Sequence, residues 1–219
     1  MSPIRGLVLV LAVALSFGAA CRTDRSDPPG RSGGPLEAAA ATALSAPAVL
    51  VSPRAPAEGR PVRVLAAFEE DPGQASLSLR GPSGAAREPD RVRRGGGPPY
   101  WIAAEFDAAP SAEPDLLMRS GRAAVTLGPE TRLDPSPGWS RPAEILYSAW
   151  IEALFTGADE RSSWKALHEV TRDRARNLLH DHLGFGEDEA PDPSAAPGAR
   201  PLAMTPDCAD NPYFLRAYF

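Results

Sequence analysis

Short apolar runs separated by turn residues recur through residues 49–127, and they constrain the fold more than any other feature of the sequence. Within several runs the apolar side chains alternate, as in half-buried strands. The turns between them are rich in proline and glycine, for example Asp71-Pro72-Gly73. Predicted strands lie at residues 49–51, 62–68, 77–79, 100–106 and 123–127. This spacing predicts an antiparallel β-sandwich over residues 48–130.

The start of this region resembles the Ig-like modules of bacterial surface proteins. The resemblance lies in Ser52-Pro53, Glu58-Gly59 and the following Pro61-Val62-Arg63-Val64. It implies that the antiparallel sandwich is Ig-like. We expect Trp101 to be a core or rim aromatic of this sandwich, and the basic run Arg91–Arg94 to form a solvated loop.

Helical periodicity follows a proline-containing linker at residues 131–141. Ser140 and Pro142 predict the start of one helix, and Gly157 predicts its end. Ser162-Ser163 predicts the cap of a second helix that ends at Gly184. Its predicted inward face comprises Trp164, Leu167, Val170, Leu178 and Leu179. The fold class is therefore α+β: an antiparallel sandwich, Ig-like by the resemblance above, followed by a helical hairpin and an incomplete segment within residues 142–219.

The N-terminus predicts export. Residues 1–20 have a short cationic start, an apolar stretch and small residues at the end, as in a secretory signal peptide. Small residues directly before Cys21 also resemble the lipobox of bacterial lipoproteins, which implies lipid on Cys21 and a membrane as partner. An ordinary signal cleaved after Ala20 remains the alternative. Residues 21–47 are predicted to be a flexible tether. The expected location is the bacterial cell envelope, with the lipoprotein anchored on the periplasmic side or in the outer membrane.

Charge and histidine placement argue against other classes of function. The net charge of −5 and pI near 5.3 argue against nucleic-acid binding. All three histidines fall on the predicted second helix, at spacings that give no shared metal site, so no metal and no cofactor are expected. His180 and His182 are expected to be solvated or to cap the helix end. The acidic residues after Gly186 predict a mobile loop that extends to Thr205.

The residues around Cys208 carry the one resemblance to an enzyme. Asp207-Cys208-Ala209 precedes an apolar, helix-like run, and this layout resembles the nucleophile segment of NlpC/P60-type, papain-like cell-wall peptidases. The resemblance implies that Cys208 is the nucleophile and that an amide bond of peptidoglycan is the substrate. Asp210 replaces the usual glycine and disfavours a thiolate. Asn211 is predicted to cap the helix, with Pro212 as its first residue.

Catalysis by Cys208 would also need an imidazole. In this family the histidine follows the nucleophile helix, whereas all three histidines here precede Cys208. The sequence stops at the apolar pair Tyr218-Phe219, which we expect to be an exposed helix end of a truncated, inactive domain. The alternative is a non-enzymatic envelope lipoprotein whose sandwich binds a partner or polysaccharide.

Overall fold

The computed structural model describes residues 46–121, 123–128, 138–158, 163–191 and 200–219. The predicted signal peptide, Cys21 and all but the end of the tether lie outside these residues, as does most of the linker. Residues Thr42–Phe219 group into one unit by their contacts. Within the described part, no helix is long and apolar enough to span a bilayer.

Eight strands form two antiparallel sheets of four strands each. The first sheet has the order β1-β2-β6-β5 and the second has the order β4-β3-β7-β8. The strands are β1 (Ala48–Ser52), β2 (Val62–Phe68), β3 (Ser76–Arg80), β4 (Ala86–Arg87), β5 (Arg91–Gly96), β6 (Tyr100–Phe106), β7 (Asp115–Ser120) and β8 (Ala123–Leu127). The structure thus confirms the mixed α+β class with antiparallel sheets.

One apolar core lies between the two sheets. It combines alternate residues of β2 and β6 with residues of β3 and β7, and every member is at most 8 % exposed. The predicted inward set of β2, Val62, Val64, Ala66 and Phe68, belongs to this core. The alternation in the sequence therefore predicted the inner face correctly.

A second apolar core covers the outer face of the first sheet. Helix α1 (Arg141–Phe155) packs its buried stripe against Leu50, Leu65 and Ala67 of β1 and β2. Trp101 belongs to this outer core and is only 2 % exposed. The prediction that Trp101 belongs to the sandwich core or its rim is therefore wrong, because its side chain faces the helices.

The first helix follows its sequence signals closely. The hydroxyl of Ser140 accepts a hydrogen bond from the Ala143 N–H at 3.3 Å, and Pro142 lies in the first turn. Beyond the helix end, Gly157 has a φ of 75°, which a glycine adopts without strain. The predicted start and end of α1 are confirmed.

The long second helix predicted from Ser163 to Gly184 is wrong. Only α2 (Leu167–Thr171) forms there, and turns follow it. Two side chains bind backbone groups that a continuous helix would use for its own hydrogen bonds. Asn177 donates to the Thr171 carbonyl at 2.7 Å, and Asp173 accepts from the Ala175 N–H at 2.9 Å. Such local bonds compete with helical hydrogen bonding.

Three strands were not predicted: β4, β5 and β7. The basic run expected to be a solvated loop forms most of β5, which pairs with β6 along the edge of the first sheet. There Arg91 and Arg93 approach Glu105 at 3.2 and 3.6 Å, so the basic run neutralises a largely buried carboxylate. Strand β7 lies between β3 and β8 in the second sheet, and its buried residues follow one another without a clear alternation.

Candidate functional site

Cys208 lies in an exposed turn just before helix α3 (Asn211–Tyr218). The carboxylate of Asp207 organises this turn, accepting hydrogen bonds from the backbone N–H groups of Ala209 and Asp210 at 2.8 and 2.9 Å. Asp210 is the N-cap residue, one position earlier than predicted, and Pro212 lies in the first turn. The turn places the cysteine side chain at the surface, where a large substrate has access to it.

The three histidines make their contacts elsewhere. Nδ1 of His168 lies 2.9 Å from the backbone N and 3.0 Å from the carbonyl O of Met204. His180 is buried, only 3 % exposed, so the expectation that it is solvated is wrong. The backbone of His182 accepts a hydrogen bond from the Arg54 N–H at 2.8 Å. These hydrogen bonds join His168 to Met204 and His182 to Arg54.

These placements decide what the cysteine turn can do chemically. A thiol acts as a nucleophile when a neighbouring base takes its proton, and an imidazole usually does so. The contacts described for the three histidines are made with Met204, Arg63 and Arg54, and none of these contacts pairs an imidazole with the sulfur. They also contain no cluster of three His, Cys, Asp or Glu side chains suited to a metal ion.

A buried polar network holds the last helix in place. Asn177, which is 0 % exposed, donates to the Tyr218 hydroxyl at 2.7 Å and accepts from Trp150 Nε1 at 3.0 Å. The Tyr218 hydroxyl in turn donates to Asp188 Oδ2 at 2.5 Å. Burial and the nearby Asp188 carboxylate raise the pKa of Tyr218 far above its usual value. Residues distant in sequence thus share one hydrogen-bonded cluster, which the sequence pattern did not indicate.

The acidic stretch after Gly186 begins as ordered structure, not as the mobile loop predicted there. Glu187 and Asp188 are 6 % and 2 % exposed. The Glu187 carboxylate accepts hydrogen bonds from the backbone N–H groups of Leu183 and Phe185 at 2.6 and 3.0 Å. Burial raises the pKa of Glu187. The rest of this stretch, residues 192–199, lies outside the described residues.

The turn held by Glu187 exposes large apolar side chains. Leu183 is 53 % exposed and Phe185 is 59 % exposed. Leu202, which is 40 % exposed, lies alongside, because its N–H donates to the Glu187 carbonyl at 2.7 Å. We call Leu183, Phe185 and Leu202 the apolar tip.

The chain's last two residues pack against other aromatic rings. Tyr218 stacks on Trp150 with ring centroids 5.6 Å apart, and Phe219 meets Tyr147 edge-on at 5.5 Å. Trp139 also contacts Phe219, at 6.0 Å. The expectation of an exposed apolar helix end is therefore wrong for these two residues.

Comparison of the chain with known protein families, curated proteins and solved structures gave no match. The functional conclusions below therefore depend on the residues and their geometry.

The buried His180 predicts an acid-sensitive stability. Burial lowers the pKa of His180, and the groups facing it are Asp188, Glu189, Arg174 and Arg63. The unfolded chain takes up this proton near pH 6.5 while the folded chain resists it, so stability falls as the pH drops below about 6.5. We expect a loss on the order of 1 kcal/mol between pH 7 and pH 5, measured by urea unfolding.

A His180→Gln variant provides the control for this effect. It keeps the backbone carbonyl that accepts from Arg63 at 3.0 Å and removes the titrating ring. The raised pKa of Glu187 has the opposite sign, because it favours the folded state at low pH and loses that contribution as the pH rises above about 4.5. Because the variant lacks the titrating ring of His180, it should lose less stability on acidification than the wild type. Equal slopes for the two proteins would contradict the prediction.

Proposed function

We propose that this protein is a lipid-anchored protein of the bacterial cell envelope. In this proposal its C-terminal segment has the nucleophile layout of an NlpC/P60-like cell-wall hydrolase but does not catalyse hydrolysis with the residues described. The N-terminal pattern ending at Cys21 supports export and anchoring. Peptidoglycan is the partner that the Cys208 segment would meet in that location.

One observation carries the conclusion about catalysis. Cys208 is exposed on a turn held by Asp207, the imidazole of His168 bonds to Met204, and His180 is buried. An accessible thiol without a base retains the position of a nucleophile and lacks its activation.

The sandwich is proposed to be Ig-like. Two antiparallel four-stranded sheets around a common core support this assignment. The resemblance at Ser52-Pro53 and the residues that follow lies in β1, β2 and the connection between them. In this proposal the sandwich acts as the rigid body to which the helices and the Cys208 turn are attached.

Peptidoglycan turnover tests the claim about Cys208. The full chain and a Cys208→Ala variant are incubated with peptidoglycan stem peptides, and the cleaved products are measured by mass spectrometry. We expect no more product from the wild type than from the variant, while maleimide labels Cys208 in the folded wild type because the side chain is exposed. Cleavage above the variant's background would contradict the proposal.

A second candidate function is non-enzymatic binding, and the apolar tip favours it. Large apolar side chains exposed on an ordered turn are typical of interaction surfaces. Binding at this surface does not depend on the chemistry of Cys208.

A further inference from the structure

We propose that the apolar tip, formed by Leu183, Phe185 and Leu202, is a contact site for the surface of a lipid bilayer. This inference rests on the proposed lipid anchor at Cys21 and deepens it, because it identifies the part of the globular unit that faces the membrane. Leucine and phenylalanine are residues that insert at the boundary between headgroups and acyl chains.

Hydrogen bonds fix the conformation of the turn that carries the apolar tip. Both carboxylate oxygens of Glu187 accept hydrogen bonds from the backbone of the turn, at Leu183 and Phe185. Asp181 adds a third bond by accepting from the Gly186 N–H at 2.7 Å, and Gly184 has a φ of 77°. A preorganised turn loses little conformational entropy when its side chains enter another phase.

Burying the carboxylate of Glu187 costs free energy, and an ordinary surface turn contains no such buried group. This residue is 6 % exposed, and burial raises its pKa. Its bonds to the turn hold outward two side chains that are more than half exposed, although both would be more stable in an apolar environment. The arrangement therefore favours a function for the exposed side chains over a packing defect.

Arginines lie beside each member of the tip. The Arg200 N–H donates to the Phe185 carbonyl at 3.0 Å, and the Arg172 guanidinium donates to the Leu202 carbonyl at 2.8 Å. Arg54 lies next to Leu183, since its N–H donates to the carbonyl of His182. Glu189, the exposed carboxylate nearby, is paired with Arg174. Arg54 and Arg200 are exposed, and exposed arginines next to apolar side chains complement a bilayer that presents phosphate headgroups.

The length of chain before the globular unit permits this contact. Twenty-four residues separate Cys21 from Ala46, a length of chain that can span at most about 80 Å. Strand β1 leads from the tether to Arg54 at the tip, which corresponds to about 25 Å of extended chain. A membrane that holds Cys21 is therefore within reach of the tip.

Fluorescence quenching by brominated lipids tests the contact in the anchored protein. In a full chain lipidated at Cys21 and carrying Cys208→Ser, the substitution Leu183→Cys provides a single thiol for a fluorescent dye. Val92→Cys is the matched control, because Val92 is 47 % exposed on β5. In phosphatidylglycerol vesicles, we expect quenching at position 183 to exceed that at position 92 at least threefold. Equal quenching at the two positions would overturn the inference.

A second measurement does not depend on the anchor. A chain that starts at Arg22, and so lacks both the apolar N-terminal segment and Cys21 but keeps the Thr42–Phe219 unit, is mixed with phosphatidylglycerol vesicles, and its partitioning is measured by flotation. We expect the double change Leu183→Ser and Phe185→Ser to lower partitioning about tenfold, and Arg200→Gln to lower it about fivefold. The exposed positions of these side chains should leave the thermal midpoint unchanged, which circular dichroism checks.

The two proposals fail in distinguishable ways. An intact mass without acyl chains would refute the lipid anchor at Cys21 and leave the flotation result standing. Partitioning that is the same for wild type and double variant would overturn the membrane contact, whatever the mass shows. Shielding of the dye at position 183 only when envelope proteins are present would also overturn it, because that result identifies a protein partner.

Discussion

Replacing Asn177 with alanine is expected to lower the free energy of unfolding by about 3–5 kcal/mol. The side chain makes four hydrogen bonds in a fully buried position: it donates to the Thr171 carbonyl and the Tyr218 hydroxyl, and accepts from Trp150 Nε1 and the Leu179 N–H. Its loss leaves buried donors and an acceptor without partners, at about 1–3 kcal/mol each where no water enters. Urea denaturation followed by circular dichroism measures the change.

Asn211→Ala is the matched control for Asn177→Ala. Asn211 lies at the start of α3, is partly exposed, and makes no side-chain hydrogen bond to a described residue. Its replacement should change stability by no more than about 0.5 kcal/mol. Similar small losses for both variants would show that the Asn177 network does not hold the helices together.

The network also explains why the sequence misled about the second helix. An i, i+3/i+4 apolar pattern through Leu167, Val170, Leu178 and Leu179 favours a continuous helix, and all four residues are indeed buried. Periodicity reports which side chains face inward, but it does not report the backbone path between them. Asn177, a polar residue within this pattern, was the available sign that the helix is interrupted.

Local signals predicted the elements that depend on local chemistry. Ser140, Pro142 and Gly157 delimit α1, and alternation in residues 62–68 and 100–106 identified strands β2 and β6. What they could not show is that Leu65 and Trp101, on the opposite face of these strands, are covered by helices. Alternation identifies the inner face of a strand, but it does not show whether the other face is exposed or covered by a second layer.

For the candidate site, too, the sequence predicted some features and missed others. The sequence predicted that Cys208 lies just ahead of a helix, and the structure confirms this position. The apolar tip and its support by Glu187 were not predicted, because an acidic, glycine-containing stretch has the composition of a mobile loop. Only the three-dimensional contacts show that Glu187 binds the backbone of Leu183 and Phe185.

Leu146→Ala is expected to cost about 2–5 kcal/mol and to destabilise the sandwich together with the helices. Leu146 is 0 % exposed and lies in the outer core with Leu50, Leu65 and Trp101 of the first sheet. Removing three buried carbons loses transfer free energy and leaves a cavity between α1 and the sheet. Because helix and sheet share this core, urea unfolding should remain a single transition when followed by helical circular dichroism and by tryptophan fluorescence.

Leu183→Ala is the matched control, since the same atoms are removed from a side chain that is 53 % exposed. Its cost should be below about 0.5 kcal/mol, because little packing is lost at the surface. Two separate transitions in the Leu146→Ala protein would contradict the shared core: they would mean that the sandwich is stable without the helical layer. A single transition at lower urea concentration means instead that the sandwich and the helical layer unfold as one cooperative unit. The Cys208 turn and the apolar tip belong to that unit, so a loss of stability beneath α1 also destabilises these two sites.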